Sequence, residues 1–193
     1  MTILITRPLP DGKELVSMLH TLSIQAYCLP LITFVPGSGL KKLLNNINQL
    51  RSKDIIFSLS KQAIYYANSY LNKKNVKWPS LVKYYAIGPK TGSILHQYSG
   101  HTIIYPHKTS NTEKLIEMLN IKELKNRRAI ILQNKYGRNL LKKTLKSYGT
   151  IVNSIECYKI IFNNLNGFTI GEKLKKKNKN INCYEWINFT TIL

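Results

Sequence analysis

Two features of the sequence predict an α/β fold. Short apolar runs alternate with segments of helical periodicity along most of the chain, and several runs stop at a small residue from which a helix starts at once. Repeated strand–helix units of this kind build parallel sheets covered on both faces. The stretch "AIGPKTGSIL", Ala86 to Leu95, shows the pattern: an apolar run ends at Gly88, Pro89 occupies a first helical position, and Thr91 to Ser93 lead into Ile94 and Leu95.

The elements follow in order. "TILIT" is a short buried strand, and Asp11 opens a helix with Leu15, Met18, Leu19 and Leu22 on one face. "QAYCLPLITFVP" reads as one long extended segment containing Pro30. "DIIFSLS" is the next strand, ending at Ser58 and Ser60, and "KQAIYYANSYL" is the helix that it enters. "VKYYAIG" and "HTIIYP" are further strands with the Pro89 helix between them. "RRAIILQN" leads into "GRNLLKKTLKSYG", where Gly149 stops the helix, and "TIVNSIECYKII" is a second long extended segment. The two long segments, 25–36 and 150–161, bracket a self-contained run of strand–helix units and read as the two strands of a connecting ladder. Residues 37–149 are then one continuous domain, and 1–24 pair with whatever follows 161.

Composition narrows the function. A chain of 193 residues, 44% hydrophobic, buries one good core or two small ones. No apolar run approaches the roughly 20 residues that span a bilayer, and "MTILITRPLPDG" lacks the features of a signal peptide, so a cytoplasmic protein without a membrane partner is expected. Cys28, Cys157 and Cys183 are far apart and the four histidines show no ligand spacing, so no metal is expected. A formal charge of +20 would ordinarily suggest nucleic acid. The lysines, however, sit among Asn, Ile and Tyr, as in "LNKKNVK", and no helix-turn-helix, zinc finger or RNP-like strand accompanies them. They read as a solvated face, with no specific nucleic-acid partner.

The turns at Ser58 to Lys61 and Gly88 to Thr91 lie at the C-terminal ends of parallel strands, where open α/β sheets bind ligands, and each aims a helix N-terminus outward. "GPKTG" is not a Walker loop. For Gly88 and Thr91 the competing reading is a plain turn and helix cap.

"ILITRP", "PLITFVP", "DIIFSLSKQAI", "KWP", "YYAIGPKTG", "IIYP" and "GRNLLKKTLKSYGTIVNSIECYK" occur in the order and spacing of the uroporphyrinogen-III synthases, and from residue 1 to about 160 the chain resembles that family. The resemblance implies two flavodoxin-like parallel-sheet domains joined by a two-stranded antiparallel ladder, with a cleft between them. It further implies no cofactor and closure of the linear tetrapyrrole hydroxymethylbilane with inversion of its last ring; a monomer is expected. That substrate is a polycarboxylate, so several anion sites spread along a cleft suit it, and Ser58, Ser60, Gly88 and Thr91 are candidate contacts. Tyr158 in "ECYK" matches the family's ladder tyrosine and is the candidate acid, against a reading as a packed aromatic. Thr6 and Arg7 match the opening motif, with Arg7 a candidate carboxylate ligand and a capping or salt-bridging role as its alternative. Arg138 matches the last arginine of the family's R-G-x-x-G-R turn, but Gln133 and Asn134 stand where an arginine and a glycine are usual.

After "ECYKII" the family continues through further strand–helix units, whereas this chain offers "GFTIGEKLKKKNKN" and "INCYEWINFTTIL". "WINFTTIL" is read as one strand, with Thr190 and Thr191 near its turn, and the discontinuous domain (1–24 with 162–193) as shortened. A non-catalytic α/β remnant or binding module is therefore the alternative reading.

Overall fold

A computed structural model describes residues 2–107, 109–164 and 184–185. "WINFTTIL" and the basic run before it lie outside those residues, as does Cys183.

The elements are β1 (Thr2–Ile5), α1 (Asp11–Thr21), β2 (Gln25–Cys28), β3 (Ile32–Pro36), α2 (Leu40–Asn48), β4 (Ile55–Ser58), α3 (Lys61–Lys73), β5 (Lys83–Ala86), α4 (Pro89–Ser99), β6 (Ile103–Ile104), α5 (Thr112–Glu117), β7 (Arg128–Asn134), α6 (Leu140–Ser147), β8 (Ile151–Phe162) and β9 (Tyr184–Glu185). A turn of 3₁₀ helix, Ile121–Glu123, lies between α5 and β7. The fold is mixed α/β with a mostly parallel six-stranded sheet, β3-β8-β7-β4-β5-β6, and a three-stranded sheet, β2-β1-β9. Two compact units result: Val35–Lys159, and Met1–Phe34 with the described residues from Ile160 onward.

Within Val35–Lys159 the parallel strands lie in the order β6-β5-β4-β7-β8. Counted along the chain that is 3-2-1-4-5, which departs from the 2-1-3-4-5 order of flavodoxin itself and so corrects the expected flavodoxin-like label. The reason is burial. "IIFS" of β4 and "RAIILQN" of β7 are the most continuously apolar strands and take the centre, where both faces are covered. The direction of strand addition reverses between them, so the switch point falls where β4 and β7 end.

The expected ladder needs a second correction. Gln25–Pro36 is not one strand: β2 pairs in parallel with β1, and only β3 lies beside β8. Pro30, which has no N–H to give a ladder, marks the break. On either side of it Leu29 N–H donates to Ile5 O (2.8 Å) and Leu31 N–H to Thr6 O (3.2 Å). β3 and β8 run antiparallel, since Gly37 N–H donates to Cys157 O and Asn163 N–H to Leu31 O. The first half of β8 pairs instead with β7, in parallel.

Two side-chain layers cover the large sheet. Ile55, Phe57, Tyr85, Ala129 and Ile131 pack against leucines of α5 and α6. Ile56, Ile130 and Leu132 point the other way by strand alternation, toward the face that α3 covers with Ala63, Ile64, Ala67 and Leu71. Two polar groups caught in this packing are satisfied: Trp78 Nε1 donates to Asn68 Oδ1 at 3.0 Å, and the Tyr84 hydroxyl to Pro79 O at 2.6 Å. Gly149 ends α6 with a φ of 76°, a left-handed position that favours glycine.

Burial pushes the Cys157 thiol up from 9.0 to about 12. Once the pH passes the ordinary thiol value, the unfolded chain holds fewer protons than the native one, so stability falls as pH rises, by about 1.4 kcal/mol per pH unit, until the native thiol titrates. Tyr84 and Tyr158 are raised by burial too and add to the loss at higher pH. Urea midpoints are expected to decline above pH 9, and Cys157→Ala should flatten the first part of that decline.

Candidate active site

The C-terminal ends of β5, β4, β7 and β8 bring together most of the residues singled out in the sequence. Ser60 begins α3 in an extended conformation (φ −161°, ψ 155°), and its Oγ accepts from Ala63 N–H at 3.2 Å, a side-chain cap on an otherwise unpaired donor. The same hydroxyl donates to the Tyr158 oxygen at 3.2 Å, across 98 residues of sequence. The Tyr158 ring stacks on Tyr66 of α3, with centroids 6.2 Å apart and planes at 15°. Burial raises the Tyr158 pKa, and the hydrogen bond from Ser60 works against that rise. The phenol is therefore protonated throughout the neutral range.

β8 is held in place behind Tyr158. The Glu156 carboxylate accepts from the backbone N–H of Ser38 at 3.3 Å and from its hydroxyl. A Cβ on Gly37 would collide with Glu156 O and lie 2.7 Å from Tyr158 N, so the chain passes too close to β8 for any larger residue. Glu156 Oε1 and its register partner across the strands, Gln133 Oε1, are both buried without hydrogen-bond partners among the described residues.

The remaining candidates differ in access. Ser58 is fully buried and its Oγ has no hydrogen-bond partner among the described residues, so it offers no side-chain group at the surface. Gly88 begins α4 with extended backbone, and a Cβ there would overlap the Ser110 side chain. Thr91 is buried in the first turn of α4. The 88–91 turn thus lies beneath the segment carrying Ser110, in keeping with the plain-cap reading. Arg138, in the loop after β7, is exposed, with Nη1 3.5 Å from Glu113 Oε1. Such an exposed pair contributes little to stability and leaves the guanidinium in reach of an anion. Thr6 and Arg7 follow β1 in the other unit, where Thr6 is partly buried and Arg7 exposed.

Sequence reasoning missed Tyr66 and Ser38. Tyr66 lies on α3 six residues after the Ser60 cap, and its stacking on Tyr158 joins residues 92 positions apart, which no local spacing marks. Ser38 gave none, because its partner is 118 residues away. Among the described residues no group of three or more His, Cys, Asp or Glu could hold a metal ion, and no helix is long and apolar enough to cross a membrane.

These features define an α/β protein of the doubly wound class, with a serine-held tyrosine near its switch point. The family described as Uroporphyrinogen-III synthase HemD matches residues 13–191. The uroporphyrinogen-III synthase of Escherichia coli (strain K12) is 41% identical over 158 residues, which are 82% of this chain and 64% of that protein. The Proteus mirabilis synthase is 38% identical over 162 residues, 84% of this chain and 81% of that protein. Among solved structures, a mutant uroporphyrinogen III synthase from the extremely thermophilic bacterium Thermus thermophilus superposes with a TM-score of 0.62 at 12% identity, over 84% of this chain and 64% of that one, a likeness of fold. The chain belongs to the uroporphyrinogen-III synthase family. It spans under two thirds of the length of its Escherichia coli relative.

Proposed function

We propose that the chain cyclises hydroxymethylbilane to uroporphyrinogen III, with inversion of ring D and loss of water, as a step in making porphyrins and haem. The observation that carries this reading is the 41% identity to the Escherichia coli synthase, and it favours an enzyme over a non-catalytic remnant. The reading takes 37–149 as a continuous domain and 1–24 with 162–193 as a discontinuous one. It also takes the protein as a cytoplasmic monomer that acts on a small molecule, with no nucleic-acid or membrane partner.

The chemistry asks little of any one side chain. The pyrrole nitrogen lone pair expels the hydroxyl from the hydroxymethyl carbon to give an azafulvene. The substituted α-carbon of the last ring then attacks that carbon, a spiro intermediate forms and rearranges, and a ring proton is lost as the macrocycle closes, so that one water leaves in all. In this reading Tyr158 lends its proton to the departing hydroxyl and recovers one at closure; the hydrogen bond from Ser60 to its oxygen supports that role. The unassisted closure takes the simpler route without inversion, so the larger contribution is to hold the carboxylate arms in the less accessible geometry. Arg7 and Arg138, both exposed, suit those arms. Gly88, Thr91 and Ser58 serve by shaping the ends of their strands.

Arg7→Gln and Arg138→Gln are each expected to weaken bilane binding by roughly three- to tenfold, in line with a solvent-exposed charge-assisted contact. Titration of each variant with the bilane checks this, and unchanged affinity in both would remove them from the site. The reading as a whole is tested by the disappearance of hydroxymethylbilane: the purified chain should accelerate it well beyond the spontaneous rate, and no acceleration would refute the activity.

A further inference from the structure

The sheet of Val35–Lys159 has a second end, away from Tyr158. Where β4, β5 and β7 begin, a cavity of about 330 Å³ is lined by Lys53, Lys83, Arg127, Glu123, Tyr85 and Leu124, among others. Its floor is core: Tyr85 and Leu124 are 7% and 2% exposed, and the Tyr85 ring stacks on Phe57. Its rim carries three cations against one carboxylate, which leaves an excess of two positive charges. That carboxylate is already engaged, since Glu123 Oε2 takes the Lys83 ammonium at 2.5 Å and Oε1 accepts from Asn120 Nδ2 at 2.9 Å. Arg127 is fixed by donating to Ser52 O at 3.3 Å, and the Lys53 N–H by Leu81 O at 2.9 Å. Arg127 and Lys83 are near enough to repel one another. Here three cations converge over an apolar floor, the combination that binding pockets use.

We propose that this cavity is a second ligand site, for a small ring-bearing organic anion: an aryl or heteroaryl carboxylate or phosphate. The anionic group would lie among Lys53, Lys83 and Arg127 and the ring over Tyr85 and Leu124. A bare inorganic anion would leave the floor uncovered, and a cavity of this volume holds about one ring system. The inference does not depend on the proposed cyclisation.

Phenyl phosphate is the probe, titrated into the full chain at fixed ionic strength by calorimetry, with inorganic phosphate and phenol as the separate halves of the ligand. The expected Kd for phenyl phosphate is on the order of 10⁻⁴ M, from ordinary ligand efficiencies. Each half should bind at least tenfold more weakly. The double variant Lys53→Ala/Arg127→Ala should raise the Kd at least tenfold, while Lys73→Ala/Lys74→Ala, which removes the same charge at the end of α3, should leave it unchanged. Glu123→Gln, which removes the competing carboxylate, should tighten binding severalfold and needs no loss of packing. Non-saturable binding, equal affinity for inorganic phosphate, equal losses in the two double variants, or weaker binding by Glu123→Gln would each overturn the site.

Discussion

Phe57→Ala is expected to lower the unfolding free energy by about 3–5 kcal/mol, the range for large-to-small changes at aromatic core positions. Phe57 is fully buried in the middle of β4, opposite Tyr85 on one side and Ile131 on the other. Its ring stacks on Tyr85 with centroids 5.2 Å apart, and leucines of α5 and α6 close the layer above it. Rigid strands on both sides keep the vacated space from collapsing, which places the cost toward the upper end. Small domains are stable by only about 5–15 kcal/mol, so the variant should unfold at a much lower urea concentration with an unchanged m-value. A loss below about 1 kcal/mol would mean that β4 is not the centre of the sheet.

Tyr158→Phe should slow bilane consumption by roughly tenfold while type III product stays in excess. The variant keeps the ring and its stacking on Tyr66 and removes only the hydroxyl that Ser60 contacts. Losing one such hydrogen-bonding group is worth about 1 kcal/mol, or somewhat under a factor of ten in rate. A loss of about 10² to 10⁴ would instead make Tyr158 the principal acid. The pH profile separates the cases further. Because burial raises the Tyr158 pKa, its protonated form persists beyond pH 10, so any Tyr158-dependent rate should hold through the neutral range and fall only above that point.

Much of the large sheet is legible along the chain because its signals are local. "DIIFSLS" and "KQAIYYANSYL" became β4 and α3, with Ser60 as the cap between them. Pro89 marked the start of α4 and Gly149 the end of α6. What the sequence withheld depends on distant partners. The 3-2-1-4-5 order follows from which apolar strands win the central places, and no spacing within a strand states that. α2 and α5 were unread: "LKKLLNNIN" is dense in Lys and Asn, and α5 is only six residues long. The split of Gln25–Pro36 turned on whether β1 or β8 would receive each half. At the site, Ser60 and Tyr158 were each named in the sequence, yet nothing in the residues joined them across 98 positions. The Gly88 turn was recognisable, but the Ser110 side chain that covers it was not.

The isomer of the product decides whether the chain closes the bilane with inversion of ring D. Purified chain is incubated with hydroxymethylbilane, the porphyrinogens are oxidised, and the type I and type III porphyrins are separated by chromatography. Type III is expected in excess over the type I product of spontaneous closure. Type I alone, in the amount formed without protein, would contradict it.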